Sequence, residues 1–267
     1  MSEKKPALWL RIVALLVYAY IYIPIIILMI FSFNSQKLNI SWEGFTLHWY
    51  QVLINDQDVL LAVRNTLIVA TISTIISTVI GTLAALALQR YRFRGYTFSE
   101  STLYIPVIIP EVVMGIALLA FFAMIRFTLG LNTIILAHIA FSIPFVALVV
   151  RARLHGFDKS IEEAAMDLGA NELVTFWRVT LPTIMPGVLA GALLAFTLSL
   201  DDYVITYFTA GPGSTTLPLR IFSMVRFAVT PEVNALSTLW VLTVFVLLLI
   251  GQIAQRRQTV GQNPAKA

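Results

Sequence analysis

Long apolar runs separated by short polar clusters set the pattern of the chain from its first residues to its last. Each run reaches the ~20 residues that an α-helix needs to cross the hydrocarbon core of a bilayer. The runs predict spans at 8–31, 65–88, 101–125, 131–150, 183–207 and 235–254. Leu, Ile, Val and Ala are continuous in them, without the ten-residue alternation of a membrane barrel. In lipid every backbone polar group must be satisfied internally, so the pattern predicts an all-α integral membrane protein of six transmembrane helices. Pro24, Pro106, Pro110, Pro144 and Pro186 fall within or near the spans, where a membrane helix tolerates a kink. Residues 1–267 read as a single transmembrane domain, with no room for a separate soluble one.

Composition agrees: 58% of the 267 residues are hydrophobic and 12% are charged, where a soluble domain carries about a quarter charged residues. Cysteine is absent, which excludes disulfides, thiolate metal sites and cysteine nucleophiles. The net charge of +4 matters through its distribution and does not point to nucleic acid in a chain this apolar. Lys4 and Lys5 precede the first run, which is too long for a signal-peptide core and is not closed by a small-residue cleavage site; it reads as a retained first span. Thirteen of the 18 basic residues fall before or at the start of span one, between spans two and three, between four and five, or after six. Lys37, Arg64, Arg126, Arg220 and Arg226 are the other five. By the positive-inside rule both termini are expected in the cytoplasm.

The cytoplasmic link between spans four and five, 151–182, is longer than the 2–8 residues typical of helix connections. Ser160 and Glu163 have capping-box spacing for a helix through Ala164, Ala165, Met166 and Leu168. Gly169 sits where helices often end in a left-handed residue. Asn171 then caps a second short helix, which Pro182 is expected to end. The hairpin reads equally as a surface element lying on the membrane or as a dock whose small face of Ala164, Ala165 and Gly169 admits another protein.

Glu163-Ala164-Ala165, three residues, Gly169, nine residues, then Val179-x-Leu181-Pro182 resembles the EAA motif of bacterial ATP-binding-cassette (ABC) importer permeases, with Val179 where isoleucine is frequent. The resemblance implies that Glu163, Ala164, Ala165, Gly169, Leu181 and Pro182 form a coupling-helix hairpin that docks on an ATPase subunit dimer. It also implies alternating access, a second, different permease subunit, and ATP and Mg held by the partner ATPase, with no cofactor on this chain. More of the chain is similar to one branch, the spermidine/putrescine importer permeases of the bacterial inner (plasma) membrane: Y-A-Y-I-Y-I-P-I at 18–25, S-F-N-S at 32–35, R-Y-R-F-R-G at 90–95, A-F-T-L-S-L-D-D at 195–202 and T-P-E-V-N-A-L at 230–236. That branch works with a periplasmic polyamine-binding protein. It often has Asp where this chain has Glu111.

Intramembrane acids cost about 2.5–3.5 kcal/mol on insertion scales, so Glu111 in span three and Asp201 and Asp202 in span five are candidate contacts for a cationic solute. Tyrosines such as Tyr20, Tyr22, Tyr203 and Tyr207 offer cation–π faces, and Tyr22 and Tyr203 join the candidate set. Other readings stand beside these. Glu111 follows Pro110 and also fits the first turn of a restarted helix. The aspartates also suit backbone amides or a basic residue of a second subunit, and tyrosines furnish interfacial belts in contact with membrane lipid.

His138 is expected to pack and hydrogen-bond within the bundle, and Glu162, Asp167 and Glu172 to form a solvated face. Gly211–Thr216, G-P-G-S-T-T, lacks the lysine of a phosphate loop and reads as a turn before the semi-apolar stretch 217–225. Thr230-Pro231-Glu232 reads as the cap and start of span six. No phosphate loop, G-x-S-x-G or H-E-x-x-H is present, so nothing supports an enzyme. Two alternatives to the polyamine importer remain at this level: an ion-driven secondary transporter of a cationic solute, and an ABC permease for a different small solute.

Overall fold

A computed structural model describes residues 8–37 and 39–261, with side chains to residue 253; Lys4, Lys5 and Lys266, counted above toward orientation, lie outside the described residues. In chain order the helices are α1 (Leu8–Phe31), α2 (His48–Asn55), α3 (Gln57–Arg90), α4 (Tyr96–Ile108), α5 (Glu111–Met124), α6 (Leu131–Leu154), α7 (Ser160–Asp167), α8 (Glu172–Thr175), α9 (Leu181–Asp201), α10 (Val204–Thr209), α11 (Leu217–Phe227) and α12 (Pro231–Gly261). Among the described residues the only β-type pairing is an isolated bridge between Asn34 and Phe45. Among the described residues five stretches are long and apolar enough to cross a membrane, and α4 with α5, bent by 112°, adds a sixth if the pair counts as one span.

The chain divides into two compact units, one formed by the chain up to Leu60 with Ile221–Thr243, the other by Leu61–Arg220 and the chain from Val244. In the first unit α1 keeps the predicted bounds and buries none of its residues. Its end is tied by polar bonds: Ser32 Oγ and the Tyr50 hydroxyl lie 2.6 Å apart, and Trp49 Nε1 donates to the Asn34 carbonyl at 2.8 Å. Asn34 itself spans the following turn, donating to the Ser41 carbonyl and accepting from the Glu43 amide. Buried at the same point, its side chain satisfies backbone that neither helix nor sheet could.

In the second unit α3, α6 and α9 pack through small residues. A Cβ on Gly81 would come within 2.8 Å of Val146 Cβ, and one on Gly187 within 2.7 Å of Arg153 Cβ. Small residues at such points let helices approach closely, which drives association where lipid removes the hydrophobic incentive. The resulting core holds Ala85, Leu86, Val146, Ala147, Val150, Leu154, Ile184 and Ala195. A second cluster, of Ala137, Phe141 and Ile205, joins α6 to α10, with Met114 and Leu118 of α5 against it.

Three elements depart from the sequence expectation. The predicted span 101–125 is two helices, because Pro110 lacks an amide and leaves Ile109 and itself extended. The predicted span 183–207 stops at Asp201; Asp202 is extended and α10 follows as a separate short helix. Pro182 does not end the second short helix of the link. Phe176–Thr180 form a π-helical turn in which the Leu181 amide bonds the Phe176 carbonyl, five residues back, and the chain runs on into α9 with Pro182 in its first turn. In the first turn a missing amide costs nothing, and the wide turn bridges the rest.

Candidate functional site

The link between α6 and α9 folds as a knuckle. Its first helix begins without the predicted capping box: the Ser160 amide donates to Asp158 Oδ1 at 3.0 Å, and Lys159 is the cap residue. A carboxylate two residues upstream is a stronger acceptor than the Ser160 hydroxyl, and it closes an Asx turn. That bond, with one from the Ser160 side chain, holds the Asp158 carboxyl below its usual range. Gly169 ends α7 with φ of 92°, the left-handed conformation its position predicted, and a Cβ there would meet nothing within 4 Å. The Gly169 amide bonds the Met166 carbonyl and the Ala170 amide the Ala165 carbonyl, which closes the helix end. Asn171 Oδ1 accepts from the Val174 amide at 2.8 Å and starts α8 as expected.

Burial then sorts the motif residues. Glu163 and Ala164 are exposed, Ala165 is half-buried, and Leu181 lies half-buried at the start of α9 beside exposed Pro182. Around them stand apolar side chains that a solvated hairpin would not present: Leu168 is 91% exposed, Leu173 68% and Trp177 60%. Exposed large apolar groups in a cluster mark a surface built for contact.

Glu162 does not lie on a solvated face. Its side chain is 13% exposed, paired with Arg90 at the end of α3 and bonded by the Thr180 hydroxyl. The helical pattern assigned it outward; only the fold brings Arg90, 72 positions away, to meet it.

The candidate acids gather where α5, α9 and α10 meet. Glu111 opens α5, exposed and in the first turn of a restarted helix, where the dipole favours an anion. α5 lies tightly on α10, since a Cβ on Gly115 would come within 2.6 Å of the Phe208 ring. Glu111 is within electrostatic reach of both Asp202 and Asp201. Asp201 is the exposed last residue of α9, and Tyr203, half-buried, has its ring 5.7 Å from that of Tyr207. Tyr22 belongs to the first unit, more than half exposed on α1 with its ring 6.4 Å from that of Tyr18.

Asp202 differs from its neighbour. It is buried, and it caps α10 by accepting from the Ile205 amide at 3.2 Å and the Thr206 amide at 2.8 Å. The Thr206 hydroxyl donates to the same carboxylate, and His138 Nε2 lies 3.1 Å from it. His138, fully within the bundle, also meets Thr206 Oγ1 at 2.9 Å and, through Nδ1, Ser199 Oγ at 2.7 Å; Ser199 in turn faces Ser73 at 3.2 Å. One polar chain therefore links α3, α6, α9 and α10 beside the acids. The sequence marked both Asp202 and His138, but not that they meet.

A second polar cluster fixes α4. Arg151 of α6 is 2.6 Å from Glu100 and donates to the hydroxyls of Tyr104 at 2.9 Å and Tyr96 at 3.1 Å. The first half of the bent pair is thus held on α6, while the second half is held on α10.

The signature of the family described as "binding-protein-dependent transport system inner membrane component" matches residues 77–259. The spermidine/putrescine transport system permease protein PotC of Escherichia coli strain K12 is 45% identical over 247 residues, 92% of this chain and 94% of that protein. The putrescine transport system permease protein PotI of the same strain is 44% identical over 238 residues, 86% of this chain and 85% of that one. Among solved structures, a bacterial ABC transporter involved in import of the acidic polysaccharide alginate superposes with a TM-score of 0.74 at 17% identity, covering 94% of this chain and 95% of its own. The MetNI methionine ABC transporter, in an inward-facing conformation, gives a TM-score of 0.64 at 18% identity over 80% of this chain. At such identities the structures speak to the fold, and the fold agrees with the sequence match. The chain belongs to the family of binding-protein-dependent transport system inner membrane components.

Proposed function

We propose that this chain is the permease subunit of an ABC importer that passes polyamines, spermidine or putrescine, into the cytoplasm by alternating access. The observation that carries the coupling half of the reading is the knuckle: an EAA sequence folded around a left-handed Gly169, with Leu168, Leu173 and Trp177 left open. An ion-driven carrier has no use for such a dock. The polyamine half rests on the likeness to the two polyamine permeases over most of the chain.

In this reading ATP and Mg are bound by a partner ATPase dimer, and a second, different permease completes the pathway. A periplasmic polyamine-binding protein delivers the solute. Both termini and the knuckle face the cytoplasm, in keeping with the distribution of Lys and Arg. The whole chain works as one permease domain. Glu163, Ala164, Ala165 and Gly169, with Leu181 and Pro182 behind them, form the contact that moves with the ATPase.

Mechanistically, the knuckle leads into α9 without a break through the π turn, so a push on it is delivered to the span that ends at Asp201 and Asp202. A continuous helix moves as a body. At its far end Glu111 and Asp201 present carboxylates to the ammonium groups of the solute, Asp202 adds its charge from behind, and Tyr203 supplies an aromatic face; Tyr22, on α1 of the first unit, is a separate candidate aromatic contact. Pairing an intramembrane acid with a passing cation lowers the cost of both along the path.

The reading is tested in proteoliposomes holding the complete complex, with binding protein and labelled spermidine outside. Uptake with enclosed ATP and none with an imposed pH gradient is the expected result, and unlabelled putrescine is expected to compete. Uptake driven by the pH gradient alone would replace this reading with a secondary transporter.

A further inference from the structure

Resting on the importer reading above, we infer that Glu162, Arg90 and Thr180 form a rivet that fixes the coupling helix to the ends of two spans, so that one movement of α7 reaches α3 and α9 together. α7 buries none of its residues, so apolar packing holds it only weakly. Its attachment is polar and falls at Glu162, whose side chain is 13% exposed on a helix that is otherwise open except at half-buried Ala165. That carboxylate meets Arg90, the last residue of α3, and the hydroxyl of Thr180, the last residue of the π turn before α9. Arg90 Nη2 also donates to Thr180 Oγ1 at 3.2 Å, which closes the triangle, and Thr180 is fully buried.

An open pair of charges on a surface holds little, because water and salt compete for both partners. Here the acid is largely covered, it accepts from two donors, and the donors are themselves bonded, so the three groups stand or fall as a unit. Neighbouring residues on a helix point about 100° apart, which divides the labour. Glu162 faces the bundle, while Glu163 and Ala164, exposed, remain free for the ATPase. The link from motor to permease thus runs through two spans: by backbone into α9 and by the ion pair into α3.

The test uses the complete complex in proteoliposomes and reads spermidine delivered per ATP hydrolysed, together with the amount of complex assembled. Glu162→Arg and Arg90→Glu are each expected to lower the ratio by about tenfold while hydrolysis continues, and the double exchange to restore it to within about threefold of wild type. Glu162→Gln keeps the shape of the side chain and removes its charge; a ratio about threefold down with assembly unchanged is expected. Single reversals with the wild-type ratio, or a double exchange no better than the worse single, would overturn the rivet. Absence of ATP-driven uptake by wild type would overturn the importer reading beneath it instead.

Discussion

His138 and Asp202 form a buried, hydrogen-bonded pair, and Asp202 is next in the chain to an exposed acid. The imidazole bonds Ser199 and Thr206 and lies 3.1 Å from Asp202, while Asp202 closes the turn into α10. Asp201, one residue earlier, is exposed. The buried His138–Asp202 pair and the exposed Asp201 therefore answer differently to mutation. His138→Ala removes bonds to three partners and is expected to destabilise the protein by about 1–2 kcal/mol, given that interhelical hydrogen bonds in membranes average about 0.6 kcal/mol each. Asp201→Asn is expected to leave stability unchanged and raise the half-saturating spermidine concentration about tenfold, equivalent to roughly 1.4 kcal/mol. Unfolding in mixed micelles and uptake kinetics separate the two; a matching loss of stability in both variants would contradict the division. At this scale the sequence singled out Asp201, Asp202 and His138, because an acid or histidine in an apolar run stands out. It did not disclose their partners. Ser199 is 61 positions from His138, and Arg90 is 72 from Glu162, distances that no local pattern spans.

Helices and their ends were legible where one local rule decides. α1 runs over the predicted 8–31 because the apolar run is unbroken until S-F-N-S, and α12 starts at Pro231 with Thr230 Oγ1 accepting from the Val233 amide. Where two rules compete the pattern was less informative. Pro110 could kink a span or break it; the 112° bend shows that it breaks it. Asp201-Asp202 interrupts span five because a carboxylate that caps a new helix outcompetes continuation of the old one. The π turn before Pro182 was invisible, since it depends on how the knuckle packs. Gly169 offers the cleanest test of an element. With φ of 92° and free space where a Cβ would stand, a side chain there is opposed by backbone conformation alone. Gly169→Val is expected to lower ATP-driven uptake about tenfold or more, a left-handed non-glycine residue costing about 1–2 kcal/mol per residue. Gly169→Asn, which tolerates that region, is expected to keep most of it. Equal uptake by the two variants would show that the left-handed turn is dispensable.

The whole molecule has the plan of a transport subunit. The matching family and the polyamine permeases it resembles are membrane components of transport systems. Apolar runs were enough to place five long spans on the chain, because crossing a bilayer leaves few alternatives to a helix; the predicted third span proved to be the bent pair α4 and α5. How α6 and α10 hold the bent pair at both ends came only from the fold, through Arg151 on one side and Gly115 against Phe208 on the other. The account's central claim is that the knuckle between α6 and α9 transmits the work of ATP hydrolysis to the spans. Replacing 158–175 with a flexible glycine-serine tether of equal length, in an assembled complex, tests it most directly through spermidine uptake per ATP hydrolysed. The account predicts a protein present in the membrane whose uptake falls to the level seen without ATP; uptake at the wild-type ratio would contradict it.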